Sequence, residues 1–338
     1  MKQTMKLQAL LCLLLFAASV CRAQSVAFWN VENYFENQPH FRDKTRGIAK
    51  VVLSLADSAG CPPSAVGLCE VENEACMKAL VRTPALRKYG YRYVHYDSPD
   101  HRGIDCALLW RGCPPIRSRA VPIRDTSGFV LPTRSLLVVE FDSLSVVVCH
   151  LPSKRGGSPE ADRRRLLALC TLAAVCDSLS SANSLTLADS GEFYPLKLAE
   201  TGIFPQSGGG MGVNLAVHRP IMVVGDFNDT RTALSDSIMS PMRELTSLRL
   251  ERQGNSSAIA AAQAPGTIKF QGEWEQIDRA FVSPGLDATL RIAALPFLME
   301  PDKKHGGVKP RRTFIGPRHN AGLSDHLPII VSINLLYL

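Results

Sequence analysis

Gly322-Leu323-Ser324-Asp325-His326-Leu327-Pro328-Ile329 leads from a turn into a hydrophobic run, Leu327 to Leu335, that reads as a closing strand. Alone, Ser-Asp-His is a weak signal. Four other polar groups stand upstream at the ends of hydrophobic runs that read as strands. Asn30 follows Ser25 to Trp29, and Glu70 follows Ala65 to Cys69. His150-Leu151-Pro152-Ser153 follows Ser145 to Cys149, and Gly225-Asp226-Phe227-Asn228-Asp229 follows Ile221 to Val224. Carboxylates, amides and two histidines delivered from several strand ends suit a hydrolytic Mg²⁺ site. A hard cation takes oxygen donors and leaves room for water and phosphate.

The remaining runs set the fold class. Thr45 to Ala59 has Ile48, Val51, Val52 and Leu55 on one helical face, and Asn73 to Val81 and Ala161 to Ser178 also read as helices. Between Tyr91 and Cys149 the chain gives strand after strand: Tyr91 to Tyr96, Cys106 to Trp110, Arg119 to Arg124, Ser135 to Phe141 and Ser145 to Cys149. A wholly parallel sheet needs a crossover after each strand, and this region has none. Two packed mixed sheets covered by helices are therefore expected. From about 180 to 219 the chain is rich in Ser, Gly and Ala with little periodicity, and reads as a surface insertion.

Composition bounds the class. The chain has 338 residues, 46% hydrophobic and 7% aromatic, which excludes global disorder. Lys2 and Lys6 precede the apolar run Leu7 to Val20, and Cys21-Arg22-Ala23 follows with small residues, so residues 1–23 read as a cleaved secretory signal. The run is short for a bilayer span, and no transmembrane segment is expected after cleavage. Cleavage removes three cations and no acid, taking the formal charge from +7 to +4. Residues 24–338 are read as one catalytic domain, exported to the periplasm or the extracellular space, and a monomer. Basic clusters at Lys154-Arg155, Arg163 to Arg165 and Lys303 to Arg318 suit a polyanion; for the Arg163 run a solvated helix face competes. Cys69, Cys106 and Cys149 lie in apolar runs as small hydrophobes, leaving Cys61, Cys76 and Cys113 as the freest candidates for any disulfide.

Glu70, at the end of a buried run, is the first choice for metal ligand, with Asn30 and Asp325 beside it; a structural ion pair with arginine is the competing role. Asp226 is placed to orient or deprotonate water, and Asn228 to donate to a phosphate oxygen, although both residue types also serve turns. His150 and His326 are each followed by Leu-Pro and suit charge stabilisation or proton exchange near neutral pH. Asp278 is the candidate partner of His326. Arg102, Lys154 and Arg155 lie near these positions and suit flanking phosphates.

In this order, Trp29-Asn30-Val31-Glu32-Asn33, Gly67-Leu68-Cys69-Glu70, Cys149-His150-Leu151-Pro152, Gly225-Asp226-Phe227-Asn228-Asp229, Ile277-Asp278 and Ser324-Asp325-His326-Leu327-Pro328 resemble the endonuclease/exonuclease/phosphatase superfamily. The resemblance spans nearly the whole chain after the signal. Asn30-Val31-Glu32-Asn33, Arg102-Gly103-Ile104-Asp105 and Gly272-Glu273-Trp274 look like exported members from Bacteroidetes-type bacteria. It implies a four-layer α/β sandwich and Mg²⁺- or Mn²⁺-dependent phosphoester hydrolysis. By its pattern Asn30, Glu70 and Asp325 surround the metal, Asp226 and Asn228 handle water and phosphate, His150 contacts phosphate, and Asp278 supports His326. The 180–219 insertion departs from it.

A fold shared by nucleases, phosphatases and phospholipase-like enzymes does not choose the substrate. A nuclease acting on DNA or RNA is the leading expectation. The rival is a phosphatase or phospholipase-like phosphodiesterase on a small phosphate ester or lipid headgroup. A lipid enzyme wants an exposed apolar hairpin, and the sequence offers no obvious one. A non-catalytic binding module has no need of the His326–Asp278 pair.

Overall fold

The computed structural model describes residues 25–57, 60–153, 158–185, 219–230, 233–245 and 264–333. The expected signal at 1–23 and the Lys154-Arg155 pair lie outside these residues. So does most of the 180–219 segment.

One sheet contains β1 (Ser25–Tyr34), β2 (Ala65–Val71), β3 (Arg92–His95) and β4 (Asp105–Trp110). The second contains β5 (Arg117–Val121), β6 (Leu136–Glu140), β7 (Ser145–His150), β8 (Ile221–Asp226) and the short β9 (Arg243–Glu244). A small hairpin, β10 (Ile268–Phe270) and β11 (Glu273–Glu275), precedes β12 (Asp278–Val282), which returns to the second sheet. Next, β13 (Ala288–Ile292) rejoins the first sheet. Two further hairpins follow, β14 (Met299–Pro301) with β15 (Val308–Pro310) and β16 (Phe314–Ile315) with β17 (Arg318–His319). Finally, β18 (Ile329–Ile333) closes the first sheet. The strand orders are β13-β18-β1-β2-β4-β3 and β5-β6-β7-β8-β12-β9. Each sheet is mixed: β1 and β2 run parallel, as do β7 and β8, while the other pairs are antiparallel.

Three apolar cores make the layers. Between the sheets Val26, Phe28, Val139, Val146, Val148, Val224 and Ile329 meet. Helix α1 (Phe41–Ser54) covers the outer face of the first sheet with Ile48, Val51 and Val52, together with α2 (Glu74–Val81) and α3 (Pro84–Lys88). On the second sheet α4 (Pro159–Leu185) packs Leu169, Leu172 and Cys176, beside α5 (Ala233–Ile238). Helix, sheet, sheet, helix: the fold is the four-layer sandwich expected. Layering explains why the central strands β4, β6, β7, β8 and β12 are buried on both faces, as in Leu-Leu-Val-Val-Glu of β6.

Several boundaries differ from the sequence reading. Helix α1 begins at Phe41, four residues before Thr45, because Phe41 stacks on Tyr34 with ring centroids 5.3 Å apart. Helix α4 continues to Leu185, past Ser178 and into the expected insertion. All eight cysteines between 25 and 333 are free thiols, and Cys76 is buried, its Sγ donating to Tyr34 O. The three short hairpins carry too little periodicity to stand out in the sequence. Their turns expose Phe270, Val308 and Ile315, an apolar feature the sequence reading did not find.

Candidate active site

The site forms where strand register brings polar residues into one row. His150 ends β7 opposite Asp226 of β8, and Asp226 lies opposite Asp278 of β12. Three adjacent strands thus deliver His, Asp and Asp at the same edge of one sheet. From the other sheet Asn30 reaches across, and its Nδ2 donates to Asp226 Oδ2 at 3.0 Å. Gly225 makes this row possible: a Cβ there would meet Cys149 Sγ at 2.2 Å.

His326 completes the cluster from the loop before β18. Its Nδ1 is 2.8 Å from Asp278 Oδ2, and its Nε2 is 3.9 Å from Asp226 Oδ2. The loop is fixed from both sides. Ser324 Oγ donates to Asn30 O and accepts from His326 N, while Trp29 Nε1 donates to His326 O. His150 Nε2 approaches Asp226 Oδ2 at 3.5 Å, and its buried Nδ1 has no hydrogen-bond partner among the described residues. Asn228 N donates to Asp226 Oδ1 and its Nδ2 to Leu151 O, so one amide proton is committed to the backbone.

Burial separates the charges of this set. Burial pushes the Asp226 carboxyl up to about 7; His326 opposes the shift and Asp278 adds to it. Burial disfavours charge on His326, yet Asp278, then Asp226 and Asp325, hold its imidazole well above the usual range. His150 moves the other way: burial, then Arg134, His326 and Arg102, keep it well below that range and neutral. The result is a neutral imidazole, a carboxyl poised near neutrality and a protonated imidazole around one point.

Of the expected metal ligands Glu70 occupies strained backbone, and three other residues near the site do the same. Glu70, Glu32, Asn33 and Asn228 have φ of 63°, 48°, 55° and 49°, the left-handed region that non-glycine residues rarely enter. Register breaks at Asn30/Tyr34 and Cys69/Val71 account for the first three: bulges at the ends of β1 and β2 re-aim Glu32, Asn33 and Glu70. Glu70 Oε2 accepts from Asn33 N at 2.9 Å and from Arg102 at 3.4 Å. Among the described residues its Oε1 has no hydrogen bond. Arg102 also donates to Asn33 Oδ1 at 2.8 Å, so it braces Glu70 as well as facing solvent. Asp325 Oδ2 pairs with Arg312 at 2.8 Å, while its Oδ1 stands 4.0 Å from His326 Nε2.

Three residues in this region were not singled out from the sequence. Glu32 is buried, accepts from Thr313 N at 2.6 Å and pairs with Arg312 at 3.3 Å. Lys44, buried on α1, donates to Glu32 O and to Thr313 Oγ1. Burial pulls the Lys44 ammonium down to about 8 against the fields of Glu32, Glu70 and Asp325, which shows three carboxylates gathered around one cation. Arg134 ties the site's outer wall together, donating to His150 O, Leu151 O and Asp100. Glu32 stood in the quoted Asn-Val-Glu-Asn motif without a role of its own, and its burial shows the part it plays.

The donor set fits a divalent cation: Glu70 Oε1 and Asp325 Oδ1 are uncommitted hard oxygens, and Asn30 Oδ1 has spent one hydrogen bond, on Glu32 N. Asp226, Asp278 and His326 also place donor atoms within 4.8 Å of one another. Asp278 Oδ2 and His326 Nδ1 are spent on each other, and Asp278 is sealed from solvent, whereas Glu70 and Asp325 keep side-chain exposures of 12% and 22% that suit a hydrated cation. In a second cluster, His95, Asp97 and Asp105, two members form a satisfied structural pair: Asp105 binds His95 at 3.0 Å and accepts from Ser98 N at 2.8 Å, while Asp97 is exposed.

A family model described as Endonuclease/Exonuclease/phosphatase family matches residues 38–187 and 214–335. Among solved structures, the chain is similar to a mannosyl-6-phosphatase of Bacteroides thetaiotaomicron, at 15% identity over 93% of this chain and 100% of that one, TM-score 0.51. It is similar to an endonuclease/exonuclease/phosphatase family protein of the same organism, at 14% identity over 93% and 96%, TM-score 0.53. The human Nocturnin catalytic domain with bound sulfate matches at 15% identity over 92% and 93%, TM-score 0.53. At these identities the likeness is one of fold. No curated protein sequence matches the chain.

Proposed function

This chain belongs to the endonuclease/exonuclease/phosphatase family of hydrolases, and from that premise we propose that it is an exported, Mg²⁺- or Mn²⁺-dependent phosphodiesterase that cleaves nucleic acid. The carrying observation is Asp226 standing between two imidazoles, His150 at 3.5 Å and His326 at 3.9 Å, with Asp278 behind His326 at 2.8 Å. Glu70, Asp325 and Asn30 would hold the cation. When bound, it supplies Lewis-acid polarisation of a phosphoryl oxygen.

The chain's own groups divide the rest. Asp226, poised near neutrality, orients the attacking water and accepts its proton. Neutral His150 donates a hydrogen bond to a non-bridging phosphate oxygen, and the remaining amide proton of Asn228 does the same. Protonated His326, locked by Asp278, offsets the charge that builds at phosphorus. Lys154 and Arg155, beside His150 in sequence, and Arg102 serve flanking phosphates. Export rests on residues 1–23, and N-terminal sequencing of the exported protein should begin at Gln24.

A second reading is favoured by the apolar turns at Val308 and Ile315: the same site acting on a lipid headgroup or small ester. Mg²⁺-dependent cleavage of plasmid DNA, with Glu70→Gln and His326→Ala as controls, separates the two. Nicking lost with EDTA and in both variants supports the nuclease. Intact DNA with turnover of bis(4-nitrophenyl) phosphate keeps the chemistry and rejects the substrate. Glu70→Gln should also lose any Mg²⁺-induced rise in melting temperature, a readout independent of activity.

A further inference from the structure

Two exposed phenylalanines stand on opposite sides of the site, each on a rigid turn whose foot is bonded to the catalytic row. Phe129 lies in the loop between β5 and β6 and is 63% exposed. Its turn is over-determined: Asp125 Oδ1 accepts from Ser127 N, Ser127 Oγ and Phe129 N at 2.9, 2.6 and 3.0 Å. Asp125 N donates to Phe129 O, Gly128 N to Asp125 O, and Arg124 to Gly128 O. The loop's foot is held by Arg134 on the carbonyls of His150 and Leu151.

Phe270 is 60% exposed at the turn of the β10–β11 hairpin. Gln271 and Gly272 have φ of 49° and 93°, a tight two-residue hairpin turn. The His305 ring packs where a Gly272 Cβ would stand, at 3.0 to 3.1 Å, and joins this turn to that of β14–β15. Lys269 fastens the two turns by pairing with Asp302 and donating to Gly306 O. The hairpin's foot is Thr267, whose Oγ1 accepts from Asp278 N and whose carbonyl accepts from Leu327 N.

Cations stand near both rings, alongside the acids Asp125 in the turn of Phe129 and Glu273 opposite Phe270. Arg124 lies beside Phe129, and the field of Arg163 reaches Asp125 in the same turn. Lys303 and Lys304 are exposed on the turn that packs against Gly272. Sheet order β6-β7-β8-β12 puts β7 and β8, which carry His150 and Asp226, between the two posts. The loop of Phe129 leads into β6 and the hairpin of Phe270 leads into β12, so a strand running from one to the other crosses the row of His150 and Asp226.

We propose that Phe129 and Phe270 are base-stacking posts at the two ends of a track that carries an extended single strand of nucleic acid across the site. Bases stack on the rings while the flanking arginines and lysines meet phosphates, the combination by which single strands are bound without sequence preference. This deepens the nuclease reading and rests on it.

The test compares kcat/KM for a labelled single-stranded DNA oligonucleotide with that for bis(4-nitrophenyl) phosphate, which has no flanking bases. In Phe129→Ala and Phe270→Ala the ratio of the two should fall about tenfold, and Phe129→Trp and Phe270→Trp should restore it. Both sites are exposed, so melting temperatures should stay at the wild-type value. An unchanged ratio in both alanine variants overturns the proposal. So does loss of sedimentation with phosphatidylglycerol vesicles at an unchanged ratio, which would make the rim lipid-facing. If the wild-type protein turns over the small ester and cleaves no oligonucleotide, the nuclease reading itself fails.

Discussion

Asn30 on one sheet donates its Nδ2 to Asp226 Oδ2 on the other at 3.0 Å, so the two halves of the sandwich are hydrogen-bonded through the floor of the site. The same amide oxygen accepts from Glu32 N at 2.9 Å. One side chain therefore sets both the candidate base and the bulge that turns Glu32 inward. Asn30→Ala should cost about 1–3 kcal/mol of stability, because two buried polar groups lose a partner. Activity should fall on the order of 10²–10³-fold. Asn30→Asp is the sharper variant. A like charge against Asp226 raises its pKa further, so the acid limb of the pH–rate profile should move to higher pH, measured with bis(4-nitrophenyl) phosphate.

His326 gives a pH signature. Its folded-state pKa is raised by Asp278, Asp226 and Asp325 over the opposing effect of burial. A raised histidine contributes stability that is fully present below its unfolded value of about 6.5 and is lost as pH rises through the folded value. Asp278→Asn removes the leading source of that stabilisation. Urea unfolding in EDTA should show the largest deficit of the variant near pH 5–6, shrinking above neutrality. A deficit independent of pH would mean that the pair is held by shape and not by charge.

Glu32 titrates with the same sign, in a lower pH window. Burial, then the field of Asp325, raises its carboxyl, although Thr313, Arg312 and Lys44 pull the other way. Its contribution is complete below the unfolded carboxylate range and is lost as pH rises through the folded value. Glu32→Gln does not ionise, so it should gain on wild type as pH rises above about 4.5. Glu32→Ala leaves Thr313 N without its acceptor, while Arg312 keeps Asp325, and should cost about 1–3 kcal/mol. Paired denaturation curves at pH 5 and pH 8, in EDTA, distinguish the two variants.

Gly322 is a steric requirement. A Cβ there would lie 1.9 Å from Arg311 O and 2.4 Å from Arg312 O, all backbone, directly before the loop that carries Asp325 and His326. Gly322→Ala should cost at least about 3 kcal/mol and reduce soluble yield. Gly316, at the β16–β17 turn, has φ 57° and open space around it. Gly316→Ala should cost only about 1 kcal/mol, from the left-handed backbone alone. Similar melting temperatures for the two variants would contradict this ranking.

How much of this was legible in the sequence follows from the range of the forces involved. A β-branched run ending in a polar residue is a local pattern, and it marked Asn30, Glu70, His150, Asp226 and Asp325-His326 as strand-end groups before any coordinates. The missing crossover helices between Tyr91 and Cys149 marked the two mixed sheets. The boundary of α1 was not legible, because Phe41 joins the helix through a ring contact with Tyr34, seven residues upstream and on another element.

Only the tertiary structure decided which polar groups meet and what charge each carries. Register set Asp226 between His150 and Asp278. The pairing of Glu32 with Arg312 joins residues 280 apart, and Lys44 is buried beneath them. Sequence period fixes which face a side chain takes, since that depends on neighbours along the chain. Partner choice and proton affinity depend on burial and on fields from elements distant in sequence, and these exist only once the sheets have closed.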